Sequence, residues 1–377
     1  MLRLPVRCVL PVLLVFGGVP TASAQPDAGL TTRMIADLGL REAPEPARAS
    51  PRWRVPRRVL VRDLTPALRD WLQPVTAGVE LVGADSMAEA RELAATVDVS
   101  LGFCEEPVLA AGSEIRWVQT YNAGVERCLA GRAIADRGIL LTNMQRIAGP
   151  VMAEHVMALV LAHARNLPGY YTAQRDGRWS RGSMGLSDGA HGAVALTGKT
   201  MLVVGFGGIG SEVARRAHAF GMTVLAIRNS KADPPAFVAR MGLPGDLAAW
   251  VREADIVVDT LPLTPETRAM FDAKIFGAMK RTAFFVNVGR GGTVVTDDLL
   301  RALQARTIAG AGLDVVDPEP LPAGHPLWNA PGLILTPHVS ADSDVDDDAR
   351  WLLIRENLRR YVAGERMLSV VDVERGY

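Results

Sequence analysis

Residues 201–227 read MLVVGFGGIGSEVARRAHAFGMTVLAI. The apolar run 201–204 leads into Gly205-Phe206-Gly207-Gly208-Ile209-Gly210. Ile209, Val213, Ala214, Ala217 and Phe220 then recur with the period of one helix face. Gly221 is placed to stop that helix, and 223–227 is a second apolar run. Strand, glycine turn, helix and strand is the frame in which G-x-G-x-x-G marks a dinucleotide site. Gly205 permits the tight turn, Gly207 admits a pyrophosphate to the backbone, and Gly210 lets the helix pack close to the sheet. The pyrophosphate is expected on the free N–H groups at the helix's positive end, around Gly208, Ile209 and Gly210. A purely structural glycine turn is the competing reading, and the flanking strands weigh against it.

A site for NAD usually has Asp or Glu at the end of the second strand, bonding the ribose 2′-hydroxyl. Here Ile227 is followed by Arg228-Asn229-Ser230-Lys231, two cations and no carboxylate. Arg228 and Lys231 suit a 2′-phosphate. NADP(H) is therefore expected in preference to NAD(H), with a solvated basic turn as the alternative.

A chain of 377 residues suggests about two domains. Hydrophobic residues make up 49%, charged residues 22%, and the formal net charge is zero, which argues against an electrostatic nucleic-acid binder. Arg3 and Arg7, the apolar run 9–19 and Thr21-Ala22-Ser23-Ala24 together have the three parts of a signal peptide over 1–24. The run is shorter than the roughly 20 residues of a membrane span, so no membrane attachment is expected after cleavage. A periplasmic or secreted protein follows, or a cytoplasmic one if translation begins at Met34. Cys104 and Cys128 would remain after cleavage; two thiols make no disulfide framework, and sequence spacing leaves open whether they pair. No Cys or His cluster has metal-ligand spacing, so no metal site is expected.

Residues 25–56, rich in Pro, Ala and charge, read as an arm or linker with one helical pattern at 30–40. Short strands are expected at 58–61, 79–82, 97–101, 115–120 and 139–142, with helices at 68–71 and 87–95. A long apolar helix, 151–166, is stopped by Pro168, and 170–197 reads as a loop. After 227, strands are expected at 256–261, 283–288, 308–316 and 333–336, and helices at 246–253, 274–279, 297–305 and 346–362. A strand-like tail, 369–373, follows. Alternating strands and helices imply an α/β fold whose parallel sheet is covered on both faces. His155 and His163 lie on the long helix without a partner at ligand spacing and read as packed or half-exposed. His191, His218 and His325 have weak claims to chemistry.

Ligands of such sheets bind beyond the carboxyl ends of the strands. Gly102, Gly124, Arg290, Glu319 and His338 all fall just after expected strands. Hydride transfer to a 2-keto acid needs a cation for the carboxylate, a proton donor for the forming alkoxide, and a carboxylate to keep that donor charged. Arg290 suits the first task by bidentate binding. His338 suits the second, because imidazole titrates near neutral pH. Glu319 suits the third through opposite charge. Each has a blander reading, Arg290 as a surface ion pair, His338 as a packed strand-end residue and Glu319 as a solvated loop acid; together they favour the chemistry.

The stretches VVGFGGIG (203–210), PLTPETR (262–268), NVGRG (287–291), GLDVVDPEP (312–320) and TPHVS (336–340) occur in an order that resembles the D-isomer-specific 2-hydroxyacid dehydrogenases. The likeness runs over about 59–377. It implies that Arg290 binds substrate, that His338 is the acid/base supported by Glu319, and that Asp314 contacts the nicotinamide carboxamide. It further implies cofactor contacts from Leu261, Pro262, Thr267, Val288, Gly289, Arg290, His338 and Ser340, and substrate contacts around Gly102, Phe103, Ala123 and Gly124. The implied architecture is two Rossmann-like doubly wound domains with a cleft between them. The substrate domain comprises 57–147 and, returning, 335–377, with the cofactor domain, 148–334, between. A homodimer is also implied. Arg228 stands where members preferring NAD carry Asp, and Glu126 where Asp is common. Glu319 argues against formate as substrate, and LPAGHPLW (321–328) looks like glyoxylate and hydroxypyruvate reductases. The opposing hypothesis is an exported, non-catalytic dinucleotide-binding sensor or interaction protein, favoured by the signal peptide alone.

Overall fold

The computed structural model describes residues 28–76, 78–179, 193–344 and 346–377. The expected signal peptide and His191 lie outside them. Two all-parallel sheets form the frame. The first contains β1 (Arg58–Arg62), β2 (Glu80–Ala84), β3 (Val99–Leu101), β4 (Trp117–Gln119) and β5 (Leu140–Thr142), in the order β2-β1-β3-β4-β5. The second contains β6 (Thr200–Val204), β7 (Thr223–Ile227), β8 (Arg240–Gly242), β9 (Ile256–Asp259), β10 (Phe284–Asn287), β11 (Gly310–Leu313) and β12 (Leu333–Leu335), in the order β12-β11-β10-β9-β6-β7-β8. The chain is thus an α/β protein with two Rossmann-like sheets. In each, the first strand lies inside the sheet and the order reverses around it, which opens a crevice at its carboxyl end.

The central strands are mostly apolar because both faces are covered, with polar residues such as Asp259 and Asn287 at their carboxyl ends. On β6, Met201 and Val203 join the core beneath the helix Gly149–Ala164, while Leu202 and Val204 join the core on the opposite face with Phe276 and Leu299. On β1, Val59 and Val61 face Leu353, Leu358 and Tyr361 of the helix Asp346–Ala363, while Leu60 faces Val108 and Ile134. That last helix therefore returns to the five-stranded sheet. The arm is docked: Met34, Leu40 and Ala47 are buried in the same core as Val59, and the N–H groups of Ala43 and Ala47 donate to the carbonyls of Met367 and Glu365.

Several local expectations are corrected. Residues 170–197 are not all loop, since a helix spans Leu167–Arg175. Pro168 sits in its first turn, where the missing N–H costs nothing, so it starts a helix rather than merely ending one. The break before it is made by Asn166, at φ 52°. The tail 369–373 makes no strand; Leu368 and Val370 form single antiparallel bridges to Glu42 and Thr142. The helix expected over 246–253 shrinks to Leu247–Trp250. Edge strand β8 and the short helices Glu106–Ala111 and Ala133–Arg137 carry too little periodicity to announce themselves.

Candidate active site

The glycine turn leaves β6 at Gly205, at φ +101°. A Cβ on Gly210 would lie 2.0 Å from the Gly205 carbonyl oxygen, so this turn and the helix Gly208–Ala219 fit together only with glycine there. Gly207 differs: a Cβ on it would meet nothing within 4 Å. It caps the helix with no side-chain acceptor, so the first N–H groups, at the positive end, face open space. A pyrophosphate fits that cradle. Beyond β7, the Arg228 Nε is buried without a hydrogen-bond partner among the described residues, while Ser230 and Lys231 are exposed. Asn229 donates to the Tyr377 hydroxyl, which reaches over from the far end of the chain.

The second strand ends of the crevice are fixed by buried polar groups. Asp259, fully buried at the end of β9, accepts from the Leu261 N–H (2.9 Å) and the Thr293 hydroxyl (2.5 Å). Asn287, also buried, accepts from the Gly289 N–H (2.8 Å) and donates to the Arg290 carbonyl (3.1 Å). These bonds hold the turn from which Arg290 projects. The Thr267 hydroxyl donates to the Pro262 carbonyl (2.6 Å) and accepts from the Thr264 N–H (2.8 Å), so it shapes the 262–268 turn.

Burial without a countercharge pushes the Asp259 carboxyl up to about 7, against smaller opposing effects of its two hydrogen bonds. The folded state therefore favours the neutral acid. Its stabilising contribution is complete below the unfolded value near 3.8 and is lost as pH rises through about 7. An Asp259→Asn variant should gain melting temperature relative to wild type as pH rises from about 4 to 7, the difference approaching the order of 4 kcal/mol. Parallel melting curves across that range would contradict this.

Arg290 reaches from the seven-stranded sheet to the five-stranded one. Its Nε donates to Glu126 Oε1 at 2.8 Å and its Nη1 to the Gly289 carbonyl at 2.8 Å. Its Nη2 is only 2.0 Å from where a Cβ on Gly124 would lie, so only glycine lets the guanidinium rest on the 123–124 backbone. Burial pushes the Glu126 carboxyl up, but the Arg290 charge and hydrogen bond outweigh it and leave the group below its ordinary value. His338 adds to the same lowering of the Glu126 carboxyl.

His338 follows β12 in the left-handed region, at φ 57°. Its Nδ1 is 2.6 Å from Glu319 Oε1, which leaves Nε2 as the ring nitrogen outside that pair. The loop carrying it is pinned by Asp314, whose carboxylate accepts from the Thr336 hydroxyl (2.6 Å) and the N–H groups of Val339 and Ser340 (3.0 Å each). Burial pushes Asp314 up, yet these hydrogen bonds hold it below its ordinary value, so it stays ionised. His155 joins the network with Nε2 2.9 Å from the Thr336 hydroxyl, while His163 stacks on Phe284 at 4.0 Å.

Arg290 and His338 both act on the Glu126 carboxyl, and the glycine turn lies beside the turn that carries Arg290, since Cβ atoms on Gly205 and Gly289 would both meet Thr260. At the other side, Gly102 turns at φ +94° and Phe103 is buried beneath Arg62. Asp259 is not named from the sequence, Glu126 is named only as standing where Asp is common, and His155 only as a packed or half-exposed helix residue. Asp259 leaves a trace, as an acid closing an otherwise apolar strand.

The family model described as D-isomer specific 2-hydroxyacid dehydrogenase, NAD binding domain, matches residues 157–340. A glyoxylate reductase/hydroxypyruvate reductase from Mus musculus is 33% identical over 260 residues, 69% of this chain and 78% of that protein. A D-isomer specific 2-hydroxyacid dehydrogenase family protein from Aeromonas salmonicida has a solved structure that superposes with a TM-score of 0.72 at 31% identity, covering 84% of this chain and 98% of that one. The NADPH-dependent glyoxylate/hydroxypyruvate reductase of Sinorhizobium meliloti, solved with NADP and sulfate, gives 0.70 at 27% identity, covering 85% and 99%. A glycine turn open to a dinucleotide, an acid–imidazole pair and these likenesses lead to one conclusion: the chain belongs to the D-isomer-specific 2-hydroxyacid dehydrogenases, NAD(P)-dependent oxidoreductases.

Proposed function

We propose that this protein reduces a small 2-keto acid of the glyoxylate or hydroxypyruvate kind to the D-2-hydroxy acid, with NADP(H) preferred over NAD(H). The observation that carries the reading is the 2.6 Å His338–Glu319 pair in one crevice with Arg290. With the pyrophosphate held at the glycine turn, the reduced nicotinamide of the bound dinucleotide would supply the hydride. Arg290, through Nη2, and the backbone at Gly102, Phe103, Ala123 and Gly124 hold the substrate carboxylate. That sets the keto carbon beside the cofactor and the keto oxygen beside His338. His338 Nε2 hands its proton to the oxygen as negative charge develops there. Glu319 keeps the ring oriented and compensates its charge, and Asp314 fixes the loop that carries it.

The preference for NADP(H) rests on Arg228, whose buried Nε has no hydrogen-bond partner among the described residues, and on Lys231 three positions on. The Sinorhizobium meliloti neighbour is NADPH-dependent and was solved with NADP. Steady-state kinetics with each cofactor test this. An Arg228→Ala variant should raise KM for NADPH about tenfold or more and leave KM for NADH nearly unchanged. Equal effects on both, or a wild type faster with NADH, would remove the preference while keeping the reductase.

We also propose that the substrate domain is formed by 57–147 and 335–377 around the cofactor domain 148–334, and that the chain is exported and dimeric. The charged, apolar and A-x-A parts of residues 1–24 support export, and a paired Cys104–Cys128 suits an oxidising compartment. The non-catalytic alternative is set aside because the chain belongs to a family of dehydrogenases.

A further inference from the structure

Cys104 and Cys128 form a disulfide, with their Cα atoms 4.8 Å apart and both residues buried. Its position sets it apart from a general staple. Cys104 follows Gly102 and Phe103 on the loop leaving β3. Cys128 belongs to the single helical turn Glu126–Leu129, directly after Gly124 and within two residues of the Glu126 that holds Arg290. The bond therefore joins the two loops that frame the substrate carboxylate.

The two loops are held unequally. The first has its own supports: the Ser100 hydroxyl donates to the Phe103 carbonyl at 2.7 Å, and the Arg62 guanidinium lies 4.1 Å from the Phe103 ring centre. The turn Glu126–Leu129 has few. It has no side-chain cap, Glu126 and Arg127 are exposed, and Cys128 is its one buried residue. Val125 just before it is buried and Leu129 packs partly against the same core, while the Glu126 carboxylate pairs with Arg290 across the crevice.

We propose that the Cys104–Cys128 disulfide is a positioning element of the substrate site. It anchors the turn 126–129 so that Gly124 and Glu126 present Arg290 to the substrate carboxylate at a fixed distance from Gly102. The proposal rests on the reductase reading given above. A misplacement of about 1 Å at such a site costs up to about a hundredfold in rate, so the tie acts on KM and kcat/KM for the keto acid and not on the cofactor, which lies against the other sheet.

The test compares three forms of the full chain: oxidised, reduced and Cys104→Ser/Cys128→Ser. Reduction with a water-soluble phosphine cleaves the S–S bond to two thiols. The phosphine becomes its oxide with oxygen from water, and it is removed before assay. The expected result is KM for glyoxylate raised about tenfold in the reduced and doubly substituted forms, with the Kd for NADPH unchanged. Hydrogen exchange should accelerate in 121–131 and not in the glycine turn 205–210. Unchanged exchange in 121–131, or an unchanged KM, would overturn the proposal and leave the reductase reading standing. Absence of turnover with any 2-keto acid in all three forms would overturn the reductase reading and the substrate-positioning role together.

Discussion

A His338→Gln variant is expected to lose about three orders of magnitude in kcat while binding NADPH as tightly as wild type. Glutamine keeps a polar side chain of similar reach, and its amide can still meet Glu319. It cannot give up a proton to an alkoxide. The proton must then come from water, which forfeits the contribution of a positioned general acid, commonly about 10²–10⁴-fold. His338 also takes part in the fold through its left-handed backbone and its N–H bond to the Asp314 carbonyl, at 2.8 Å. Both are main-chain features and survive the change. Melting temperature should therefore move little, which separates a chemical defect from a folding one. Retention of more than about a tenth of wild-type kcat would remove His338 from its assigned role.

The second large effect belongs to Arg290. Arg290→Ala removes the cation proposed for the substrate carboxylate and at the same time strands Glu126. In the native protein that carboxyl is kept ionised by the Arg290 guanidinium 2.8 Å away. Without its partner, it meets the incoming carboxylate as a like charge. The loss in kcat/KM should reach about a thousandfold, more than a single charged hydrogen bond is worth. Adding Glu126→Gln to Arg290→Ala should return part of it, because the repulsion goes while the missing cation remains. Measured as a double-mutant cycle on kcat/KM, additive effects of the two changes would show that Glu126 does not act through Arg290.

Much of this arrangement is legible in the chain itself. The turn 205–210 announces a strand–helix unit because Gly205 takes a positive φ and Gly210 meets the backbone of its own turn. Arg290, Glu319 and His338 are legible because parallel strands deliver their carboxyl ends to one edge. What stays hidden depends on contacts between residues far apart in sequence. The Glu126–Arg290 pair spans 164 positions, and nothing near either residue marks the other. The arm looks like a linker by composition, yet Met34 and Leu40 find a core formed by a helix more than three hundred residues later. Pro168 reads as a stop because proline ends helices and also begins them, and only the left-handed Asn166 decides between the two. Asp259 lies unremarked inside the expected strand 256–261, whereas its buried carboxyl holds both the 260–262 turn and Thr293 beneath Arg290.

Incubation of the purified protein with NADPH and hydroxypyruvate, followed by cofactor absorbance and chiral separation of the glycerate formed, tests the central claim most directly. Glyoxylate yields achiral glycolate and reports only turnover, whereas hydroxypyruvate also reports the face to which hydride is delivered. The account predicts NADPH consumption matched one to one by D-glycerate, both abolished in His338→Gln. L-glycerate, a racemic product, or no NADPH consumption with any 2-keto acid would contradict it.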